Sequence, residues 1–195
     1  MISGIEDSRR ADYHRALQPV LPGLLLAVLT LLFGFSLGIV FGLNEDLIKA
    51  RLAASAAAAD VSIYHQDTAA VKAVLSKSWV YMQRAHLHAG SLGTTAVALI
   101  VVLVLLDVRP RVARTLSIAL GAGGLGYSLF WLLAGFRAPS LGGTDAAKES
   151  LALLAIPASG LVVVATAATL VLLARQLVSP KVDLAAGAQR ELDRR

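Results

Sequence analysis

The sequence predicts an all-α integral membrane four-helix bundle, with an extended helical segment on the outer side between the first two spans. Three observations carry this. The 195 residues are 56% hydrophobic and only 16% charged, with a mean hydropathy of +0.69, which is not a soluble domain's balance. Four apolar runs each approach the roughly 20 residues that a helix needs to cross a hydrocarbon core of about 30 Å. Basic residues collect in short segments beside alternate ends of those runs. The net charge of +5 is therefore read as topology control, with no nucleic-acid partner. The chain has no cysteine, which excludes disulfides, thiolate metal sites and iron–sulfur clusters.

Residues 1–17 form a polar tail with Arg9, Arg10 and Arg15. Residues 18–43 form the first span, uncharged from Val20 to Leu43, with Pro19 and Pro22 in an opening turn where a missing donor costs little. A secretory signal core runs to only about 7–15 residues, so this span is expected to stay as an anchor. Gly34, Gly38 and Gly42 recur every four residues and predict a smooth face for a neighbouring helix. Residues 44–85 are the long extracytoplasmic segment. Its first half, Glu45 to Ala59, is expected to prolong the first helix, and Asp67 to cap the second. From there Val71, Leu75, Ser78, Met82 and His86 share one face, and Lys77, Tyr81, Arg84 and His88 the opposite one.

The second span is 86–106, entered through Gly90 and Gly93. Residues 107–114 read as a tight basic turn and 115–136 as the third span. The third span's Gly121, Gly123, Gly124 and Gly126 lack the strand and the water that a phosphate loop needs, so they are assigned to helix packing. Residues 137–150 are a polar connection. The fourth span, 151–174, carries Pro157, expected to kink it, with Ser159 and Gly160 absorbing the freed backbone groups. Residues 175–195 are a polar tail. The N-terminal tail holds three Lys or Arg, the 107–114 turn three and the C-terminal tail five. With four spans all three lie on one side, which the positive-inside rule makes cytoplasmic, in a cell membrane.

Ionisable chemistry meets the membrane at Trp79 to Gly93, WVYMQRAHLHAGSLG. His86 and His88 lie about 200° apart on a helix and cannot grip one ion together. Either could be an axial ligand of a b-type haem, and the His86 face continues through Gly90 and Gly93, where a flat group would have room. Within one chain the second ligand would be His65 from the outer segment; otherwise a second copy supplies its own His86. The plainer expectation is that His86 ties the bundle's outer end by hydrogen bonds while His88 faces headgroups or water. The ten residues RAHLHAGSLG resemble the His-x-His segments that enter spans in haem-binding membrane subunits of respiratory enzymes, over too short a stretch to name a family.

All five phenylalanines, both tryptophans, Tyr64, Tyr81 and Tyr127 fall in the outer half. They make an interfacial belt or line an outward pocket next to His86. No span holds a charged residue, which argues against proton relays and ion-coupled carriers, and no polar pathway marks a permease. Ser91, three residues from His88, is the one intramembrane serine near a histidine, with no acid or oxyanion donors to complete a catalytic set. The leading expectation is a non-catalytic subunit or assembly partner of a larger membrane complex, its partners being the lipid bilayer and other membrane subunits or itself. The alternative is a haem- or metal-binding membrane redox or sensor protein that uses His86 at the outer rim. Its helix-packing residues are expected to be Gly34, Gly38, Gly42, Gly90, Gly93 and Gly123.

Overall fold

The computed structural model describes residues 14–178. The tail residues 1–13 and 179–195 lie outside them. A short helical stretch at 14–17 precedes α1 (Leu21–Ala58), α2 (Thr68–Leu105), α3 (Pro110–Arg137), the short α4 (Thr144–Glu149) and α5 (Ala152–Val178), with a π-helical turn at Asp60–Tyr64 between α1 and α2. The fold is an all-α four-helix bundle, and α1, α2, α3 and α5 are each long and apolar enough to cross a membrane.

The four helices are not equivalent. α1 and α2 have 38 residues each, about 57 Å at 1.5 Å per residue, well beyond the roughly 30 Å of a bilayer core. They form an antiparallel hairpin that outruns α3 and α5, which have 28 and 27 residues. α3 is the central helix: it packs against α1, α2 and α5, and between Leu116 and Leu132 none of its residues is exposed. α5 lies against α3 and barely touches the other long helices. Only 17% of its most apolar window is buried, against 39% for α3, so α5 presents most of its surface outward.

α1 runs on through Glu45 to Ala58, with one non-helical residue, Asn44 (φ −130°, ψ 25°), beside the expected end of the first span at 43. An exposed Glu45–Lys49 ion pair decorates the extension. Chain reversal uses left-handed His65 and Gln66. Asp67 then caps α2, its Oδ1 accepting from the amides of Ala69 and Ala70 at 2.9 and 3.0 Å. The basic turn is shorter than 107–114. Only Leu106 to Arg109 lie between helices, because Pro110 supplies the fixed φ and the dispensable amide that suit a first helical residue. Arg111 and Arg114 therefore project from α3. At the other end α5 is helical through Pro157, and the Ser159 hydroxyl donates to Ala155 O at 2.8 Å rather than to the Leu153 carbonyl that the proline cannot serve.

A cap covers the hairpin tip. Ala56, Ala59, Tyr64, Val74, Ala138 and Ala147 form a small apolar cluster. Tyr64, 5% exposed, donates its hydroxyl to the Pro139 carbonyl at 2.7 Å, joining segments 75 positions apart. Gly142 (φ +76°) holds a left-handed conformation against Ile63, whose Cγ2 would lie 2.3 Å from a Cβ there.

Burial raises the Tyr64 pKa above its ordinary value, so the folded protein keeps this proton where an unfolded chain has begun to lose it. The stabilisation is complete below about pH 10 and declines as the pH rises through the folded-state pKa. Tyr64→Phe should cost about 1 kcal/mol at neutral pH and remove that alkaline dependence. Limited proteolysis of residues 59–67 across a pH series checks both; a variant as resistant as the wild type at neutral pH contradicts the role of the hydroxyl.

Candidate functional site

The stretch 79–93 lies wholly within α2, and packing divides it into three strips. A buried seam of Val74, Ser78, Met82, Ala85, Ala89, Gly93 and Ala96 faces the bundle interior. Tyr81 joins it, so Tyr81 and Met82 are both buried although the expected faces set them apart. His86 and His88, each half-buried, flank the seam on opposite sides.

His86 faces α1. Its Nδ1 lies 2.8 Å from the Gly34 carbonyl. A carbonyl oxygen only accepts, so Nδ1 carries the proton and donates, which leaves Nε2 without one in the neutral ring. The ring rests on Gly38, where a Cβ would come within 2.8 Å of Cε1. Alanine at 38 would push the imidazole off its acceptor. A Cβ on Gly34 would in turn lie about 3.0 Å from Ala89 and the Gly90 amide, and one on Gly93 would lie 2.8 Å from Leu31. Gly123 serves a different contact, against the Ala158 carbonyl and Val162 of α5.

Gly42 differs from the expectation, with nothing within 4 Å of a Cβ there; a Cβ on Gly90 would also meet nothing, although the Gly90 amide itself abuts Gly34. A four-residue repeat drifts about 40° per step on a helix of 3.6 residues per turn, so Gly42 has turned about 80° from the contact that Gly34 makes. Among the glycines the tightest site is one the sequence pattern did not single out. A Cβ on Gly23 would lie 2.2 Å from the Ser117 carbonyl carbon, and one on Gly121 would lie 2.6 Å from the Gly23 oxygen. Gly135 similarly admits Met82 and the Ser78 carbonyl.

The surroundings of His86 bear on the haem expectation at two points, the space beside its ring and the place of His65. Of the two glycines expected to leave room for a macrocycle on the His86 face, Gly93 is filled by α1, a Cβ there lying 2.8 Å from Leu31, whereas nothing lies within 4 Å of a Cβ on Gly90. His65 sits exposed at the hairpin tip. Helix rise puts Thr68 about 27 Å from His86, and His65, three residues before Thr68, is too far along the hairpin to be a second ligand in the same chain. Among the described residues no three His, Asp or Glu side chains are grouped to hold a metal ion. The Ser91 hydroxyl donates to the His88 backbone carbonyl at 3.3 Å, not to its ring.

The aromatic residues gather at His88 instead of His86. The His88 ring lies 5.2 Å from Tyr127 and 5.9 Å from Trp131. Trp131 meets Tyr81 edge-on at 4.8 Å and 89°, and Phe130 at 5.1 Å. The Arg84 guanidinium lies 5.3 Å from the Tyr81 ring and 5.0 Å from the Trp131 ring, within cation–π range of both. Lys148 of α4 also interacts with the Tyr81 side chain and is ion-paired to Asp145 at 2.7 Å. That hydrogen bond lowers the carboxyl's pKa and raises the ammonium's. The Trp131 Nε1 is a buried side-chain donor with no hydrogen-bond partner. On the other side of the seam, Trp79 packs with Phe41 at 5.5 Å and lies under Lys49.

Comparison with protein-family models, with curated proteins and with solved structures finds no match. Fold and site together define a bundle of membrane-crossing dimensions with a polar–aromatic rim at its capped end.

The glycine contacts yield a differential test. Gly23→Ala must displace backbone and should destabilise the bundle by about 1–3 kcal/mol. Gly42→Ala enters open space within a helix and should be neutral or stabilising by up to about 1 kcal/mol. Thermal melts in one detergent, followed by circular dichroism, compare the two; equal losses would refute the assigned register of α1 on α3.

Proposed function

We propose that this protein is a non-catalytic subunit or assembly partner of a larger membrane complex, with both termini cytoplasmic and the capped hairpin end outside. The orientation rests on Arg15 and Arg175, which lie with Arg109 of the α2–α3 turn at one end of the bundle. The reading is carried by one feature of the hairpin where it outruns the other two long helices. There Lys49, Ala50, Leu52, Ala53, Leu75, Ser76, Trp79 and Val80 surround a largely apolar groove of about 590 Å³. Leu47 and Val61, on the same projecting part, are 69% and 74% exposed. Exposed leucine within a span only meets lipid. Beyond the span it meets water, and apolar surface kept there marks a contact with another polypeptide.

Gly34 and Gly38 cannot provide that contact, because α2 already occupies them. The partner surface therefore lies on the projecting hairpin. A groove with an apolar floor and a rim of Lys49 and Ser76 suits an amphipathic segment of a partner subunit.

Filling the groove tests this. Ala53 is exposed and lines it, so Ala53→Trp should leave the melting temperature of the isolated chain unchanged. It should also reduce the stoichiometric complex recovered in mild detergent from the native membrane. A chain recovered only as a 20.4 kDa monomer, or a complex indifferent to Ala53→Trp, would overturn the reading, and a complex containing only this chain would make it a homo-oligomer.

A further inference from the structure

The polar–aromatic rim has a charge imbalance that the assembly reading does not use. Tyr81, Arg84 and His88 follow one another at spacings of three and four on α2, facing Tyr127 and Trp131 of α3. Lys148 reaches the same group from α4, but Asp145 already neutralises it. Arg84 has no such partner: among the described residues its contacts are the faces of two rings, and the ion pairs lie elsewhere. The guanidinium thus lies against aromatic carbon on an exposed residue, uncompensated, two residues before the expected start of the second span. A ring takes up none of the guanidinium N–H donors that face away from it, and those form a fork that matches two oxygens of a phosphate. The flanking Tyr and Trp rings are the residue types that settle at headgroup depth.

We propose that this rim binds the phosphate of an anionic phospholipid, with Arg84 as the phosphate ligand and Tyr81 and Trp131 as the platform that orients it. The inference rests on the membrane placement of the four spans and is independent of the assembly role. A soluble phosphate ester offers the same oxyanion. The lipid is preferred because Arg84 lies at the edge of the apolar run and its platform continues through Phe130, Leu151 and Leu154 into the bundle surface.

Trp131 reports on the site directly. The chain has two tryptophans, so Trp79→Phe leaves Trp131 as the sole fluorophore for reconstitution into mixed phosphatidylcholine–phosphatidylglycerol vesicles with one lipid brominated at a time. The expected result is quenching by brominated phosphatidylglycerol that exceeds its mole fraction by about fivefold. That preference is lost in Arg84→Gln and reduced in Arg84→Lys, which keeps the charge without the fork, with unchanged melting temperatures. Equal quenching by both lipids, or a preference that survives Arg84→Gln, overturns the site while leaving the membrane placement intact. Loss of the preference on adding millimolar inorganic phosphate overturns the lipid assignment in favour of a soluble phosphate ester. Absence of quenching by either lipid places Trp131 away from lipid and overturns the site.

Discussion

In a medium as apolar as the side chains themselves, helices gain little from hiding hydrocarbon, and what holds them is how closely their backbones approach. That constraint shapes this bundle from one end to the other. Gly23 and Gly121 let α1 and α3 touch main chain to main chain, Gly34 and Gly93 do the same for α1 and α2, Gly123 for α3 and α5, and Gly135 for α3 and α2. Three of these glycines lie on α3, the helix that contacts all the others. Its low mean hydropathy among the four spans follows from that position: a central helix needs small residues more than large ones.

The same medium penalises any polar group left without a partner. The buried hydroxyls answer this within their own helices, Thr30 to the Leu26 carbonyl, Ser78 to Val74, Ser128 to Gly124 and Thr169 to Ala165, each at 2.7–2.8 Å. They add polarity without creating a path through the bundle. His86 is the exception, since its bond runs between helices. Such bonds contribute on average only about 0.6 kcal/mol, so the value of this one lies in direction. An imidazole over Gly38 with its proton on the Gly34 carbonyl fits a single relative placement of α1 and α2, and a shift of one residue would lose both contacts. The histidine most suggestive of a ligand in the sequence acts in the fold as a register pin.

Periodic and local features were legible in the sequence; features that depend on a neighbour were not. The four apolar runs, the continuation of α1 past residue 44 and the Asp67 cap all follow from residues close in the chain, and each has its counterpart in the fold. Pro110 carried a readable signal too, as a helix opener, but the surrounding arginines drew it into a turn. The glycine stripe went wrong at Gly42 because a period of four is not 3.6. The aromatic residues were correctly read as clustering near one end, yet their placement beside His88 and not His86 depends on α3 packing on one flank of α2 and α1 on the other. No spacing within α2 contains that information. His65 could be set aside as a partner for His86 only once the length of α2 was known.

The length mismatch among the helices explains why this end of the protein carries both a cap and a rim. A hairpin of two 38-residue helices beside helices of 28 and 27 must leave several turns unsupported by the bundle. Two antiparallel helices bury little of their surface alone, so the projection needs a second source of stability. The α3–α5 connection supplies it: Ala138, Leu141 and Ala147 pack on Ala56, Tyr64 and Val74, and the Tyr64 hydroxyl closes the link. In folding back to reach the hairpin, that connection also brings α4 and Lys148 over Tyr81, so the segment that braces the projection also completes the rim around Arg84. Support of the hairpin and assembly of the polar–aromatic face are thus consequences of one loop path, which is why the molecule's distinctive chemistry lies at the base of its longest unsupported element.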